Sequence, residues 1–152
     1  MQYLPTLDAF VTVNTACEAQ CCRYPVLVSS NNDIESAPRT GSFGLAAMKS
    51  TLMEWSIVLG EACVEMLTGL FSLSVGTNSN RGANDAAELV MVCERHMYLM
   101  KESGRIASQK RLERSPQCAC SYFNSGDGID NVIIGFQDST IHIYNDFNLV
   151  WA

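Results

Sequence analysis

A spacing repeated along the carboxyl-terminal half of the chain constrains the fold more than any single residue does. When Leu89-Val-Met-Val-Cys-Glu-Arg-His-Met-Tyr-Leu-Met100 is laid on Asn131-Val-Ile-Ile-Gly-Phe-Gln-Asp-Ser-Thr-Ile-His-Ile-Tyr144, Val90 meets Val132 at an offset of 42 and Leu99 meets Ile143 at an offset of 44. Repeats of roughly 40–45 residues built from short strands are the signature of propeller blades, each a four-stranded antiparallel sheet. After each matched hairpin comes a polar turn, Lys101-Glu-Ser-Gly104 or Asn145-Asp146, and then a last strand, Arg105 to Leu112 or Phe147 to Ala152. Met53-Glu-Trp55, Leu112-Glu-Arg114 and Leu149-Val-Trp151 read as three similar blade ends.

The expected fold is therefore all-β, a partial β-propeller of about three four-stranded antiparallel blades. Residues 1–60 are an incomplete blade lacking its beginning and carrying an insertion at 29–50; 61–114 are a blade with a loop at 76–87; 115–152 are a third blade. A ring generally needs at least four blades, so the expectation is a segment of a larger propeller. Strand-type runs fit it: Ala9–Val13, Tyr24–Val28, Glu88–Cys93, His96–Met100, Asn131–Ile134 and Thr140–Tyr144 are rich in β-branched and aromatic residues and bounded by turn formers. Glu54–Phe71 is the one rival for a helix, but Trp55-Ser-Ile-Val-Leu59 is β-rich and Gly60 interrupts it, which predicts strand, turn, strand.

Charge and cysteine usage exclude several functions. Ten Lys and Arg against sixteen Asp and Glu leave a net charge of −6, a field that repels phosphate backbones and argues against a nucleic-acid partner. Glu61 and Glu65 interrupt the most hydrophobic region, Leu52 to Val75, short of the roughly 18 apolar residues of a membrane span. The start, Met1-Gln-Tyr-Leu-Pro5, lacks the basic and apolar segments of a secretory signal. Seven cysteines without a C-x-x-C pair fit a reducing compartment and give no metal site.

Catalysis needs a nucleophile, base or metal brought together, and the two histidines, His96 and His142, fall at nearly equivalent repeat positions, which points to architecture rather than catalysis. No catalytic residue, cofactor or metal ligand is assigned. The turn Asn124-Ser-Gly-Asp-Gly128, followed by Asp130 and Asn131, has part of the pattern of an integrin-type FG-GAP calcium loop, but Asn124, Asp127 and Asp130 are a sparse set for a cation that takes six to eight oxygens. Basic residues cluster at Lys101, Arg105, Lys110, Arg111 and Arg114, a strip able to meet an acidic subunit or anionic lipid headgroups, or to guard an edge strand from aggregation.

Collinear segments carry a family resemblance: Asp8-Ala-Phe-Val-Thr-Val13, Tyr24-Pro-Val-Leu-Val28, Glu54-Trp-Ser-Ile-Val-Leu-Gly-Glu61, Glu94-Arg95, Gly104-Arg-Ile106, Ser115-Pro116 and Leu149-Val-Trp-Ala152. In this order and spacing the chain resembles the amino-terminal β-propeller of the Bardet-Biedl syndrome protein 9 family, the parathyroid hormone-responsive B1 proteins. The resemblance implies a non-enzymatic scaffold subunit of the BBSome, the coat-like complex that moves membrane-protein cargo in and out of cilia. It implies other BBSome subunits and an ARF-like small GTPase as partners, only peripheral contact with membrane, and residence in the cytoplasm, cilium, ciliary membrane and basal body. Arg114 stands where the family pattern leads one to expect an aromatic residue. The competing expectation is an FG-GAP-like propeller fragment that binds calcium or an extracellular ligand.

Overall fold

The computed structural model describes residues 1–23, 53–73 and 87–152. The predicted strand Tyr24–Val28, the insertion at 29–50 and all but the last residue of the loop at 76–87 lie outside the described residues. Among those described there are twelve strands and no helix, arranged as three four-stranded antiparallel sheets. The first runs in the order β1 (Gln2–Leu4), β2 (Ala9–Val13), β3 (Glu18–Arg23), β4 (Met53–Val58). The second follows as β5 (Cys63–Gly69), β6 (Glu88–Cys93), β7 (His96–Lys101), β8 (Ile106–Arg111), and the third as β9 (Pro116–Asn124), β10 (Ile129–Phe136), β11 (Ile141–Asn145), β12 (Asn148–Trp151). Each sheet is a meander whose strands pair in chain order, the construction of a propeller blade.

The first sheet corrects the expectation of an incomplete blade, because β1 supplies its fourth strand, paired as Gln2 with Val11 and Leu4 with Ala9. Three residues are too few to show an alternating pattern, which is why the sequence did not reveal it. The strand–turn–strand reading of residues 54–71 holds: β4 ends at Val58, Gly60 takes a positive φ of 76°, and β5 begins at Cys63. That left-handed turn costs a glycine least.

The chain divides into two compact units, Met1–Gly60 and Glu61–Ala152. In the second unit two sheets pack face to face. Val90, Val92, Met97 and Leu99 of β6 and β7 share one core with Val132, Ile134, Phe136 and Tyr144 of β10 and β11, closed by Phe71 and Leu112. The end of β5 also meets the start of β10: the Asp130 amide donates to the Leu70 carbonyl at 2.6 Å, and the Leu70 amide donates to Asp130 Oδ2 at 2.8 Å. Near the other ends, Lys110 Nζ of β8 donates to the Phe147 carbonyl at 3.0 Å and lies 5.2 Å over the Tyr144 ring.

Register shows where the repeat lies. The Glu94 amide donates to the Ala62 carbonyl just as the Gln137 amide donates to that of Ser115, and both ladders then bulge at the next step, past Val64 in one sheet and past Gln117 in the other. Cys93 therefore corresponds to Phe136 at an offset of 43, one residue from the alignment of Val90 on Val132. That alignment slipped because β6 is buried on both faces and so carries no alternation to fix its register. The match of Leu99 to Ile143 stands, but His142 corresponds to Tyr98 and His96 to Thr140, so the histidines are not repeat partners. The outer strands bulge at one equivalent place in all three sheets, between Cys21 and Cys22, Leu99 and Met100, and Ile143 and Tyr144. This aligns Met53-Glu-Trp55 with Ile106-Ala-Ser108 and Leu149-Val-Trp151, and removes Leu112-Glu-Arg114 from the set.

Candidate functional site

The structure spreads the five basic residues of the predicted contact strip over different tasks. Lys101, at the end of β7, bonds to the carboxylate of Glu88, its cross-strand partner. Lys110 is spent on Phe147 and Tyr144, and Arg114 pairs with Asp138 and donates to Thr140 Oγ1 at 3.3 Å. Arg105, in the β7–β8 turn, and Arg111, at the end of β8, are exposed. Strand alternation also turns Lys110 and Arg111 to opposite faces, so the five do not form one continuous strip.

Three carboxylates organise the second unit, and sequence reasoning singled out none of them for this. Glu88, 3% exposed, accepts from the amides of Phe71 and Ser72, both at 2.8 Å, from the Ser72 hydroxyl and from Lys101. Burial opposes its ionisation, but the bonds from Lys101, Ser72 and Phe71 outweigh that and hold its carboxyl below the ordinary value. Glu61 accepts from the Arg95 amide at 2.7 Å, meets His96 Nδ1 at 2.7 Å, and accepts from Tyr98 Oη at 2.9 Å. Burial, followed by that bond to a carboxylate, pushes the Tyr98 phenol up to about 12. Asp130 ties β10 to the end of β5 through Leu70.

Two of these nodes recur with different chemistry in the third sheet. Asn131 and Asn145 stand where Glu88 and Lys101 stand, joined from Asn145 Nδ2 to Asn131 Oδ1 at 2.7 Å. Arg114 occupies the place of Glu61, and Thr140 that of His96, so the strap across the strand ends persists with its polarity reversed. In the first sheet the corresponding pair is Ala9 and Arg23, with Arg23 bound to Glu54.

Two oxygens of the calcium-type turn accept from N–H donors of the protein itself. Asn124 Oδ1 accepts from the Gly126 amide at 3.0 Å, and Asp127 Oδ2 accepts from Asn124 at 2.9 Å and Asn145 at 3.0 Å. Asp130 faces Leu70. His142 is buried, its ring centroid 4.6 Å from that of Phe136 at a tilt of 57° and its Nδ1 3.3 Å from Tyr144 Oη, while His96 is held by Glu61. The geometry is that of a polar-strapped β-sheet body presenting strand edges, sheet faces and turns.

Comparison with known proteins identifies this body. The model of the family described as PTHB1 N-terminal matches residues 1–152. The chain belongs to the PTHB1 N-terminal family. Human Protein PTHB1 is 26% identical over 152 residues, covering 100% of this chain and 16% of that protein, and the Xenopus laevis protein gives the same figures. A Caenorhabditis elegans pthb1 homolog is 22% identical over 134 residues, 86% of this chain. The chain thus spans about 16% of the length of its PTHB1 relatives. Among solved structures, the crystal structure of BBS1N in complex with ARL6DN matches with a TM-score of 0.58 at 9% identity, covering 95% of this chain and 36% of that one. The likeness to the BBS1 propeller establishes the propeller fold, and the family match bears out the resemblance read from the sequence.

Proposed function

We propose that the chain is a propeller segment of a non-enzymatic scaffold subunit of the BBSome, serving protein–protein contacts in a coat that carries membrane proteins to and from cilia. The observation that carries this reading is the match of the PTHB1 N-terminal family across residues 1–152. The propeller fold shared with BBS1N, whose crystal structure is a complex with ARL6DN, supports a role in an assembly that includes an ARF-like small GTPase. Partners on this reading are other BBSome subunits and, through the complex, membrane-protein cargo, at the cytoplasm, basal body and ciliary membrane. Exposed Arg105 and Arg111 are the residues of the basic segment left to meet an acidic surface on such a subunit.

Affinity purification of the full-length gene product, followed by mass spectrometry, tests this. BBSome subunits should co-purify, and charge reversal at Arg105 and Arg111 together should reduce the recovery of at least one of them. Recovery of the full-length protein without any BBSome subunit would overturn the reading.

A further inference from the structure

We propose that Cys63 and Cys93 form a dithiol modification site that closes to a disulfide linking β5 to β6 when the protein meets a low-molecular-weight disulfide. The two residues are direct cross-strand partners. The neighbouring pair, Ala62 and Glu94, is joined by the Glu94 amide and the Ala62 carbonyl at 3.1 Å, which makes it a hydrogen-bonded pair. Antiparallel pairs alternate, so Cys63 and Cys93 occupy a non-hydrogen-bonded position, where Cα atoms lie about 4.5 Å apart and side chains come closest. A disulfide accepts Cα separations from roughly 4.4 to 6.8 Å, so the ladder already holds these residues within its range.

The side chains agree with the backbone. The Cys93 thiol hydrogen-bonds to the Cys63 sulphur, and Cys63 Sγ also lies 3.3 Å from the Glu65 carbonyl oxygen. The contact with Cys93, opposed by burial, holds the Cys63 thiol below its ordinary value. Cys63 is half-buried and Cys93 is buried, which divides the roles: an accessible thiol to attack the external disulfide first and an enclosed one to resolve the mixed disulfide. The fold does not require thiols here, because the equivalent place in the third sheet is filled by Pro116 and Phe136.

With glutathione disulfide as oxidant, the Cys63 thiolate attacks one sulphur, breaks its S–S bond and releases one glutathione thiolate, leaving a mixed disulfide on Cys63. The Cys93 thiolate then attacks the Cys63 sulphur and expels the second glutathione. Two protein thiols lose two electrons, one glutathione disulfide becomes two glutathione thiols, and the two protons from the protein end on them. The new bond fixes β5 to β6 beside the Glu61–His96–Tyr98 strap and encloses the segment from residue 64 to residue 92.

The test uses the full chain with Cys118→Ser and Cys120→Ser, which removes the two exposed thiols. It is equilibrated with glutathione redox buffers, quenched with acid and an alkylating agent, and mapped by peptide mass spectrometry. The linked peptide pair containing Cys63 and Cys93 should exceed every other intramolecular pairing by about tenfold or more, as expected for thiols held at high effective concentration. The same oxidation in concentrated urea should abolish the preference. Separate glutathionylation of Cys63 without linkage, dominance of another pairing, or a preference that persists in urea would each overturn the proposal.

Discussion

Removing the Glu88 carboxylate probes the energetics of the second unit most directly. In Glu88→Ala the amides of Phe71 and Ser72 lose their acceptor, and an unsatisfied buried donor costs about 1–3 kcal/mol. Phe71 is 1% exposed, placing its amide toward the upper end of that range, while half-buried Ser72 can recover water. The Lys101 side chain is 45% exposed, so losing that ion pair adds less than about 1 kcal/mol. The expected destabilisation is about 3–4 kcal/mol, a large share of the roughly 5–15 kcal/mol that holds a typical domain together. Glu88→Gln keeps an oxygen able to take both amides and should cost about 1–2 kcal/mol, mostly through loss of charge-assisted bonds. The carboxyl titrates lower in the folded than in the unfolded protein, so its stabilisation is present above the ordinary carboxylate value of 4.5 and fades as pH falls through the folded value. Urea denaturation of parent and variants at neutral pH and across the acid limb measures all three effects. If Glu88→Ala lay within about 0.5 kcal/mol of the parent, or Glu88→Gln were as damaging as Glu88→Ala, the reasoning would fail.

The third sheet turns Cys118, Cys120, Ile133, Ile141, Ile143 and Trp151 to the face opposite its core, with Ile141 49% and Trp151 58% exposed. The 152-residue chain alone should therefore scatter light as a species larger than 16.7 kDa, and Ile141→Lys with Trp151→Lys should shift it toward monomer. A Cβ added at Gly69 would collide with the carboxylate of Asp130, so Gly69→Ala should destabilise by about 1–3 kcal/mol in a denaturant melt, whereas Gly126→Ala, which meets only Asn124 Oδ1 at 3.3 Å, should cost far less. Calorimetry should detect no micromolar calcium binding, and Asp127→Ala should lower stability by about 1 kcal/mol with or without calcium, since Asp127 serves Asn124 and Asn145. Arg114→Asp and Asp138→Arg should each cost less than about 1 kcal/mol, and a double-mutant cycle should show the exchanged pair regaining part of that loss.

What was legible in the sequence follows from how each strand is buried. Ala9–Val13 and Thr140–Tyr144 alternate between a buried and a wetter face and stand close to where their residues placed them. Glu88–Cys93 is enclosed on both sides, so the strand could be recognised while its register could not, and the error of one residue passed to the histidine pairing. Glu18–Arg23 escaped notice because it mixes charge, amide and thiol, and its place as β3 is settled by pairing with β2 and β4. Lys101 and Arg114 looked like surface charge, because their partners Glu88 and Asp138 are distant in sequence and reached only once the sheets form. The Glu88 node had one faint signal: a carboxylate heading an unbroken apolar run has no solvent face to occupy.

Three similar sheets in one chain create a hazard of their own during synthesis, because a strand can join the wrong copy of its own neighbour. The pairs that sit at one equivalent place, Ala9 with Arg23, Glu88 with Lys101 and Asn131 with Asn145, differ in charge and so disfavour an exchange of partners. Were β6 to recruit β11 in place of β7, Glu88 would be buried opposite an asparagine amide without its cation, a less favourable pairing than the native one. The reverse error would set Lys101 against Asn131, whose oxygen carries no charge to answer it. The difference between the three sheets at this one position thus favours each native hairpin over its exchanged form.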